Sequence, residues 1–374
     1  MIGIALLGST GSIGEQTLDV LASMPDRFRI VALAAGRSEA LFARQVARFH
    51  PTVALSARTN RDGAPPSPGQ LAEAATHPDV DLVVVATSGH AAIPAVIAAL
   101  KAGKVVALAN KEAIVCAGEL IMPLVAGLGP ALRPIDSEHS AIWQSLQAGR
   151  REDLRRIILT ASGGPFRRAS REALQHVTPQ QALRHPNWQM GGKITVDSAT
   201  LMNKGLELIE AHWLFDTPYE QIEIVVHPEQ LIHSMVEFND RSTIAQLSPP
   251  DMRLPIQYAL TWPEHAHARF KPVDFAQYRS LSFEEPDLDR FPALQIARDA
   301  GVAGQTYPTV LSAADEVAVE AFLQERISFT QIPELVQAVL DRHQPERVSD
   351  IDVVLEADRW ARAAANDLLG NLAS

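Results

Sequence analysis

The sequence predicts an α/β chain with a Rossmann-like parallel-sheet domain first, an α+β domain in the middle and a helical bundle at the end. Short Val/Ile/Leu runs alternate with helical stretches from residue 1 to about 135, a glycine-spaced turn follows the first run, and the apolar pattern beyond residue 290 keeps a helical period. Continuous apolar runs separated by helices describe parallel strands covered on both faces.

Taken in order, IGIALLG, RIVALAAG, TVALS, DLVVVAT and KVVALAN read as strands, with helices from about Glu15 and through LFARQVARF, in a domain spanning 1–135. RTNRDGAPPSPGQ at 58–70 reads as an exposed loop. In a second domain, 136–262, RRIILTAS, EIVVHP, HSMVEF and TIAQL are strands close together in sequence, with one helix from about Ser198 to Phe215. Few crossovers favour a sheet with an open face, which invites dimerisation. After a Pro-rich linker, 263–290, helices are expected near 292–300, 308–323, 331–342 and 350–369 of a domain covering 291–374. Pro308 and Pro333 suit first-turn positions, and Ser349 with Asp352 resembles a capping box.

Length and composition bound the function. A chain of 374 residues supports two or three domains with substantial cores. Its formal charge of −11 argues against a phosphate-tracking nucleic-acid surface. The single Cys116 allows no internal disulfide, so a reducing compartment is expected. The first strand starts at Ile2, leaving no room for a leader, and no apolar run approaches the roughly 20 residues of a membrane helix. A cytoplasmic chain with no membrane partner is the expectation.

Gly8, Gly11 and Gly14 of GSTGSIG lie between the first strand and the first helix, where bare backbone and outward amides suit a diphosphate. The G-x-x-G-x-x-G spacing departs from the dinucleotide fingerprint, and a tight turn without a ligand is the alternative. The second strand ends Gly36-Arg37-Ser38 rather than in Asp or Glu. A guanidinium and a hydroxyl there favour NADPH over NADH, against the reading of a solvated loop arginine. Thr87-Ser88-Gly89-His90 and Asn110-Lys111-Glu112 end further strands at the carboxyl edge, where such sheets bind ligands. Lys111 and Glu112 have a surface ion pair as their alternative.

Downstream, PIDSEHSAIW carries Asp136 and Glu138, which would face one side of an extended segment with Ser137 turned away. In the later helix, Met202, Leu206, Ile209 and Trp213 form the apolar stripe, with Asn203, Glu207 and Glu210 along a polar flank. Asp136, Glu138 and Glu207 converging would repel unless a hard cation joined them, and all-oxygen ligation suits Mg2+ or Mn2+. Solvated acids are the plain alternative. Gly205 costs that helix about 1 kcal/mol relative to Ala, so close approach of a ligand or simple helix packing must justify it. Ser162 in TASGGP, Ser198 at an expected helix N-cap, Asn203 and Lys204 supply donors for a phosphate, with a capping or surface role as the alternative for each. Between them HPNWQMGGK offers Trp188 and Met190 as a water-excluding lid, or as a packed loop.

Together GSTGSIG, ALANKEAIV, DSEHSAIWQ, LTASGGPF, HPNWQMGGKITVDSATLMNKGLELIEAHWLF, HSMVEF and SPPDMRLPIQYALTWP closely resemble the 1-deoxy-D-xylulose 5-phosphate reductoisomerase family, in the same order from Met1 to the helical end. The resemblance implies isomerisation and reduction of that sugar phosphate to 2-C-methyl-D-erythritol 4-phosphate, with NADPH, one divalent cation (Mn2+, Mg2+ or Co2+) and a homodimer. It implies metal ligands at Asp136, Glu138 and Glu207, and catalytic roles for Lys111, Glu138 and Glu207. Substrate contacts would fall on Lys111, Ser137, Glu138, Ser162, His185, Trp188, Met190, Ser198, Asn203, Lys204, Glu207 and His233. Cofactor positions would be Gly8, Thr10, Gly11, Ser12, Ile13, Gly36, Arg37, Ser38, Asn110, Glu112, Gly191 and Met252. The chain departs from the family pattern at Glu229-Gln230, where Gln-Ser is frequent, and at Ser312 and Asp315, where asparagines are usual. Two other readings compete: a metal-independent NADPH reductase of the homoserine or dipicolinate type, and a dinucleotide-sensing regulator.

Overall fold

The computed structural model describes residues 1–36, 38–60, 63–184 and 191–372. In chain order the elements are β1 (Ile2–Leu7), α1 (Ser12–Ser23), β2 (Phe28–Ala34), α2 (Glu39–Phe49), β3 (Val53–Leu55), α3 (Pro68–Ala75), β4 (Leu82–Val85), α4 (Ile93–Lys101), β5 (Val105–Leu108), α5 (Lys111–Val125), β6 (Leu132–Pro134) and α6 (Ser137–Leu146). There follow β7 (Leu154–Ala161), α7 (Arg171–Leu174), α8 (Pro179–Ala182), α9 (Gly192–Thr200), α10 (Met202–Leu214), β8 (Ile222–Val226), β9 (Ile232–Phe238), β10 (Thr243–Leu247) and α11 (Arg253–Thr261). The last four are α12 (Ala293–Ala303), α13 (Tyr307–Leu323), α14 (Gln331–Leu340) and α15 (Ile351–Leu372).

Two compact units result: Met1–Ala113, Gly118–Trp143 and Asp251–Pro272 form the first, and Ile114–Ala117, Gln144–Pro250 and Val273–Ser374 the second. The first unit is built on a parallel six-stranded sheet in the order β3-β2-β1-β4-β5-β6. Its strands are buried on both faces, as Ile4, Leu6, Leu33, Val84 and Ala107 with no exposed surface attest, which is why the sequence runs rather than alternates there. Strand order reverses between β1 and β4, so the loops after those strands flank the topological switch point.

Helix α11 packs on α1, β5 and β6, with Ile256, Ala259 and Leu260 in the core of the first unit. The sequence reading places 251–262 with the second domain; the apolar face of α11 draws it to the first sheet instead. Asp136 and Glu138 are not on an extended segment either. The carbonyl of Asp136 accepts from Ser140 N at 2.8 Å and Glu138 lies in the first turn of α6, so strand alternation does not govern these side chains.

The second unit carries a mixed sheet, β10-β9-β7-β8, in which only β7 and β8 run parallel. The helix expected from Ser198 is two helices. Leu201 adopts φ 66° and ψ 8°, a left-handed conformation that closes α9 and starts α10. Ser198 therefore sits in the last turn of α9 and caps nothing. Gly205 of α10 faces α12, where an added Cβ would lie 2.3 Å from Ala297 Cβ, so helix packing accounts for this glycine. Helix α13 is the hub of the terminal bundle, packed by α12, α14 and α15. The cap of α15 is Asp350, whose Oδ1 accepts from Asp352 N at 2.9 Å and Val353 N at 3.2 Å, rather than Ser349.

Candidate active site

All six strands of the first unit end at one edge, and β1, β2, β4, β5 and β6 are followed there by residues the sequence singles out. After β1, Gly8 takes φ 93° and its missing Cβ would stand 2.5 Å from Ala86 O beyond β4, while a Cβ on Gly14 would stand 2.2 Å from Gly8 O. The first and third glycines are thus demanded by close backbone approach, whereas a Cβ on Gly11 would meet Gly8 O only at 3.5 Å. Gly11 is the N-cap position of α1, with Ser12 and Ile13 in its first turn and Thr10 half-buried beside it. This leaves the helix-terminal amides available to an anion. Ser9, which the sequence reading missed, is fully buried and locked to α2: its Oγ donates to Gln45 Oε1 at 2.8 Å and its carbonyl accepts from Gln45 Nε2 at 2.8 Å.

After β2, Gly36 is exposed and Ser38 stands at the N-cap position of α2 without a side-chain cap. Arg37 lies outside the described residues. After β5, the buried Asn110 caps α5 by accepting from Ala113 N at 2.8 Å and donates to Thr87 O and Gly89 O, both at 2.8 Å. It ties the loop after β4 to α5, with the half-buried Glu112 in the first turn. Met252, at the N-cap position of α11, packs on the core of the same unit.

Lys111 opens α5 after β5, and Asp136 follows the adjacent strand β6; parallel neighbours bring their ends together, and Lys111 Nζ lies 2.9 Å from Asp136 Oδ2. Both side chains are largely buried, 9% and 14% exposed. Ser137 Oγ donates to Glu138 Oε2 at 2.6 Å. His139, which the sequence reading left out, is fully buried with Nδ1 3.8 Å from Asp136 Oδ2. Its signal was the i, i+3 spacing to Asp136, visible only once the segment is known to be helical.

The second unit gathers the other predicted groups. Gly163 and Gly164, at φ 78° and 66°, make the TASGGP turn after β7, and Ser162 Oγ accepts from Gly164 N at 3.1 Å. A Cβ on Gly164 would stand 2.7 Å from Ser198 O, so this turn lies directly against the end of α9 that carries Ser198. Two and three residues past the kink, Asn203 and Lys204 both donate to the carboxylate of Glu207. Glu207 and Glu210 are 1% exposed and Lys204 4%, so the expected polar flank of this helix is buried. His233 in β9 is buried, with Nε2 3.1 Å from Ser248 O. Burial, reinforced by the Lys204 ammonium, pushes its imidazole down to about 4, so it is neutral at physiological pH. Gly191 is the N-cap position of α9 and exposed. His185, Trp188 and Met190 lie outside the described residues.

The departure at Glu229-Gln230 has a local use. Glu229 accepts from Ser282 N at 3.1 Å and from Ser282 Oγ at 2.8 Å, and its Oε2 lies 3.1 Å from Nδ1 of the buried His227. Glu229 thereby ties Ser282 of the linker to His227.

Both units supply hard oxygen donors of the kind a divalent cation takes. In each, the carboxylate is already matched with positive charge: Lys111 on Asp136 and Lys204 on Glu207. Buried carboxylates held against ammonium groups are positions that favour a cation, so the residues fit the group.

Family profiles described as 1-deoxy-D-xylulose 5-phosphate reductoisomerase match residues 4–64 and 67–118, its C-terminal domain 132–215, and the DXP reductoisomerase C-terminal domain 247–364. The chain is similar to the 1-deoxy-D-xylulose 5-phosphate reductoisomerase of Thermomicrobium roseum, 52% identical over 99% of this chain and 98% of the relative. That of Chlorobium phaeobacteroides is 50% identical over 98% and 100%. Among solved structures, the Zymomonas mobilis enzyme in complex with NADPH is 40% identical with a TM-score of 0.87, over 98% of this chain and 99% of that one. A DOX-P reductoisomerase in complex with NADPH, fosmidomycin and magnesium is 38% identical with a TM-score of 0.93, over 100% and 99%. A match of this extent and identity, over three profiles in chain order, places the chain in the 1-deoxy-D-xylulose 5-phosphate reductoisomerase family.

Proposed function

We infer that this chain carries out its family's reaction, the NADPH- and divalent-metal-dependent conversion of 1-deoxy-D-xylulose 5-phosphate to 2-C-methyl-D-erythritol 4-phosphate. The observation that carries it is the ordered array on the carboxyl edge of the first sheet: the glycine turn after β1, Asn110–Glu112 after β5 and Asp136–Glu138 after β6. A nucleotide and a reacting carbonyl are thereby addressed from one edge.

Asp136, Glu138 and Glu207 are assigned to the cation by correspondence with the family, and when bound it would supply Lewis-acid stabilisation of negative charge on neighbouring substrate oxygens. NADPH, when bound, would supply a hydride. Gly8, Thr10, Gly11, Ser12 and Ile13 are assigned to its diphosphate, Gly36, Arg37 and Ser38 to the ribose phosphate, and Asn110, Glu112, Gly191 and Met252 to the rest of the cofactor. Ser162, Ser198, Asn203 and Lys204 bind the substrate phosphate through hydroxyl, amide and ammonium donors, anchoring the reacting end in register. Lys111, held by Asp136, orients a substrate hydroxyl or holds its proton, while Ser137 and the neutral His233 serve as further polar contacts. His185, Trp188 and Met190 are assigned to the substrate by correspondence with the family.

A homodimer in the cytoplasm completes the reading. Among the described residues no helix is long and apolar enough to cross a membrane. The test of the reaction is NADPH absorbance followed with 1-deoxy-D-xylulose 5-phosphate: oxidation that requires both the sugar phosphate and Mg2+ or Mn2+ is expected. Oxidation indifferent to a chelator would return the chain to the metal-independent reductases. Sedimentation of the purified protein reports the dimer.

A further inference from the structure

Lys193 stands in the first turn of α9, and its Nζ lies 2.6 Å from Asp197 Oδ2 one turn on and 2.7 Å from Asp315 Oδ2 in α13. The two carboxyl side chains are 3% and 0% exposed, against 29% for the lysine. Each aspartate keeps its Oδ1 buried, with no hydrogen-bond partner among the described residues. Two ionised carboxylates against one ammonium would leave a net negative charge in a site with almost no water. Burial, followed by the charge of Asp315, holds the Asp197 carboxyl well above the ordinary carboxylate range.

So demanding an arrangement fixes whatever is attached to it. Helix α9 is nine residues long, and Ser198 follows Asp197 directly. On its other side Ser198 meets the TASGGP turn, with room at Gly164 for no side chain. The kink at Leu201 then hands the chain to Asn203 and Lys204. Displacing α9 from α13 would move Ser198 away from Ser162 while leaving the groups of α10 on their own packing against α12.

We propose that Lys193 and Asp315 are positioning residues for the phosphate end of the substrate: their bridge, completed by Asp197, holds α9 on α13 so that Ser198 and Ser162 present their hydroxyls together. The proposal rests on the reading of Ser198 as a phosphate contact.

Four variants test it by steady-state kinetics with 1-deoxy-D-xylulose 5-phosphate, NADPH binding and thermal melting. Lys193→Met and Asp315→Ala should each raise the substrate KM about 10-fold and change kcat less than about 2-fold, since a misplaced anchor weakens binding more than the remote chemistry. NADPH affinity should not move. Asp315→Asn keeps an oxygen for the ammonium and offers an N–H to Asp197, so its KM should stay within about 2-fold of the parent. A merely structural role would lower the melting temperature in all variants without this split. An unchanged KM in Lys193→Met, or Asp315→Asn as impaired in KM as Asp315→Ala, overturns the proposal. If Lys193→Met does not fold, the Asp315 pair decides alone. Ser198→Ala separates the two layers: a KM raised there but not in the bridge variants sinks only the bridge, whereas a KM unchanged in Ser198→Ala removes Ser198 from the phosphate site.

Discussion

Lys111 Nζ rests 2.9 Å from Asp136 Oδ2 at the ends of two adjacent parallel strands, with both side chains largely buried. An ammonium this close to a proposed metal ligand competes with the cation by like-charge repulsion while holding a proton donor beside the substrate. Lys111→Met should therefore lower kcat by about 100-fold or more, the usual scale for losing a positioned proton-transfer group. The same variant should bind Mn2+ more tightly than the parent. Steady-state rates and a Mn2+ titration check the pair of effects, and weaker Mn2+ binding in the variant would contradict this role.

Lys204 holds the buried Glu207, so its truncation does two things at once. Lys204→Ala should raise the substrate KM and, by leaving a carboxylate uncompensated, destabilise the fold by about 3 kcal/mol. Excess Mg2+ should recover part of that stability, because a cation replaces the lost countercharge. Melting curves with and without Mg2+ check it; an unaffected KM would remove Lys204 from the phosphate site.

The neutral, buried His233 sets a pH dependence. Its imidazole lies at about 4 in the fold against 6.5 unperturbed. Between those values the unfolded chain binds the extra proton and the native chain does not, so stability rises with pH across the window and is complete above 6.5. His233→Gln should lack this contribution, about 3 kcal/mol over the window. Urea midpoints measured from pH 4 to 7 should fall less steeply toward acid in the variant, and parallel curves would refute the assignment.

At Gly205 two effects oppose. Alanine is the better helix former by about 1 kcal/mol, yet its Cβ would lie 2.3 Å from Ala297 Cβ of α12. Overpacking outweighs propensity, and Gly205→Ala should destabilise by about 1–3 kcal/mol. A raised melting temperature would show that α12 gives way.

Much of this was legible in the sequence because parallel strands buried on both faces leave unbroken apolar runs, and each such run ends at a ligand edge. Gly8, Asn110 and Lys111 were found in this way. The three-residue strand β6, LRP, has no apolar run and was invisible; without it Asp136 and Glu138 were read as extended rather than as a strand-to-helix junction. The break at Leu201 carries neither Gly nor Pro, so one helix was expected where two form. Buried polar partners were missed for a related reason. Ser9 with Gln45, and Lys193 with Asp315, pair residues whose separations no local period encodes.

The central proposal, carried over from the family, is that Asp136, Glu138 and Glu207 hold one divalent cation. Mn2+ binding followed by the resonance of the free ion, on the parent, Asp136→Asn and Glu207→Gln, addresses it most directly. One tight ion per chain, weakened about 100-fold or more in each variant while NADPH affinity is kept, is the result expected when a charged ligand is lost. Either variant binding Mn2+ as tightly as the parent would contradict it.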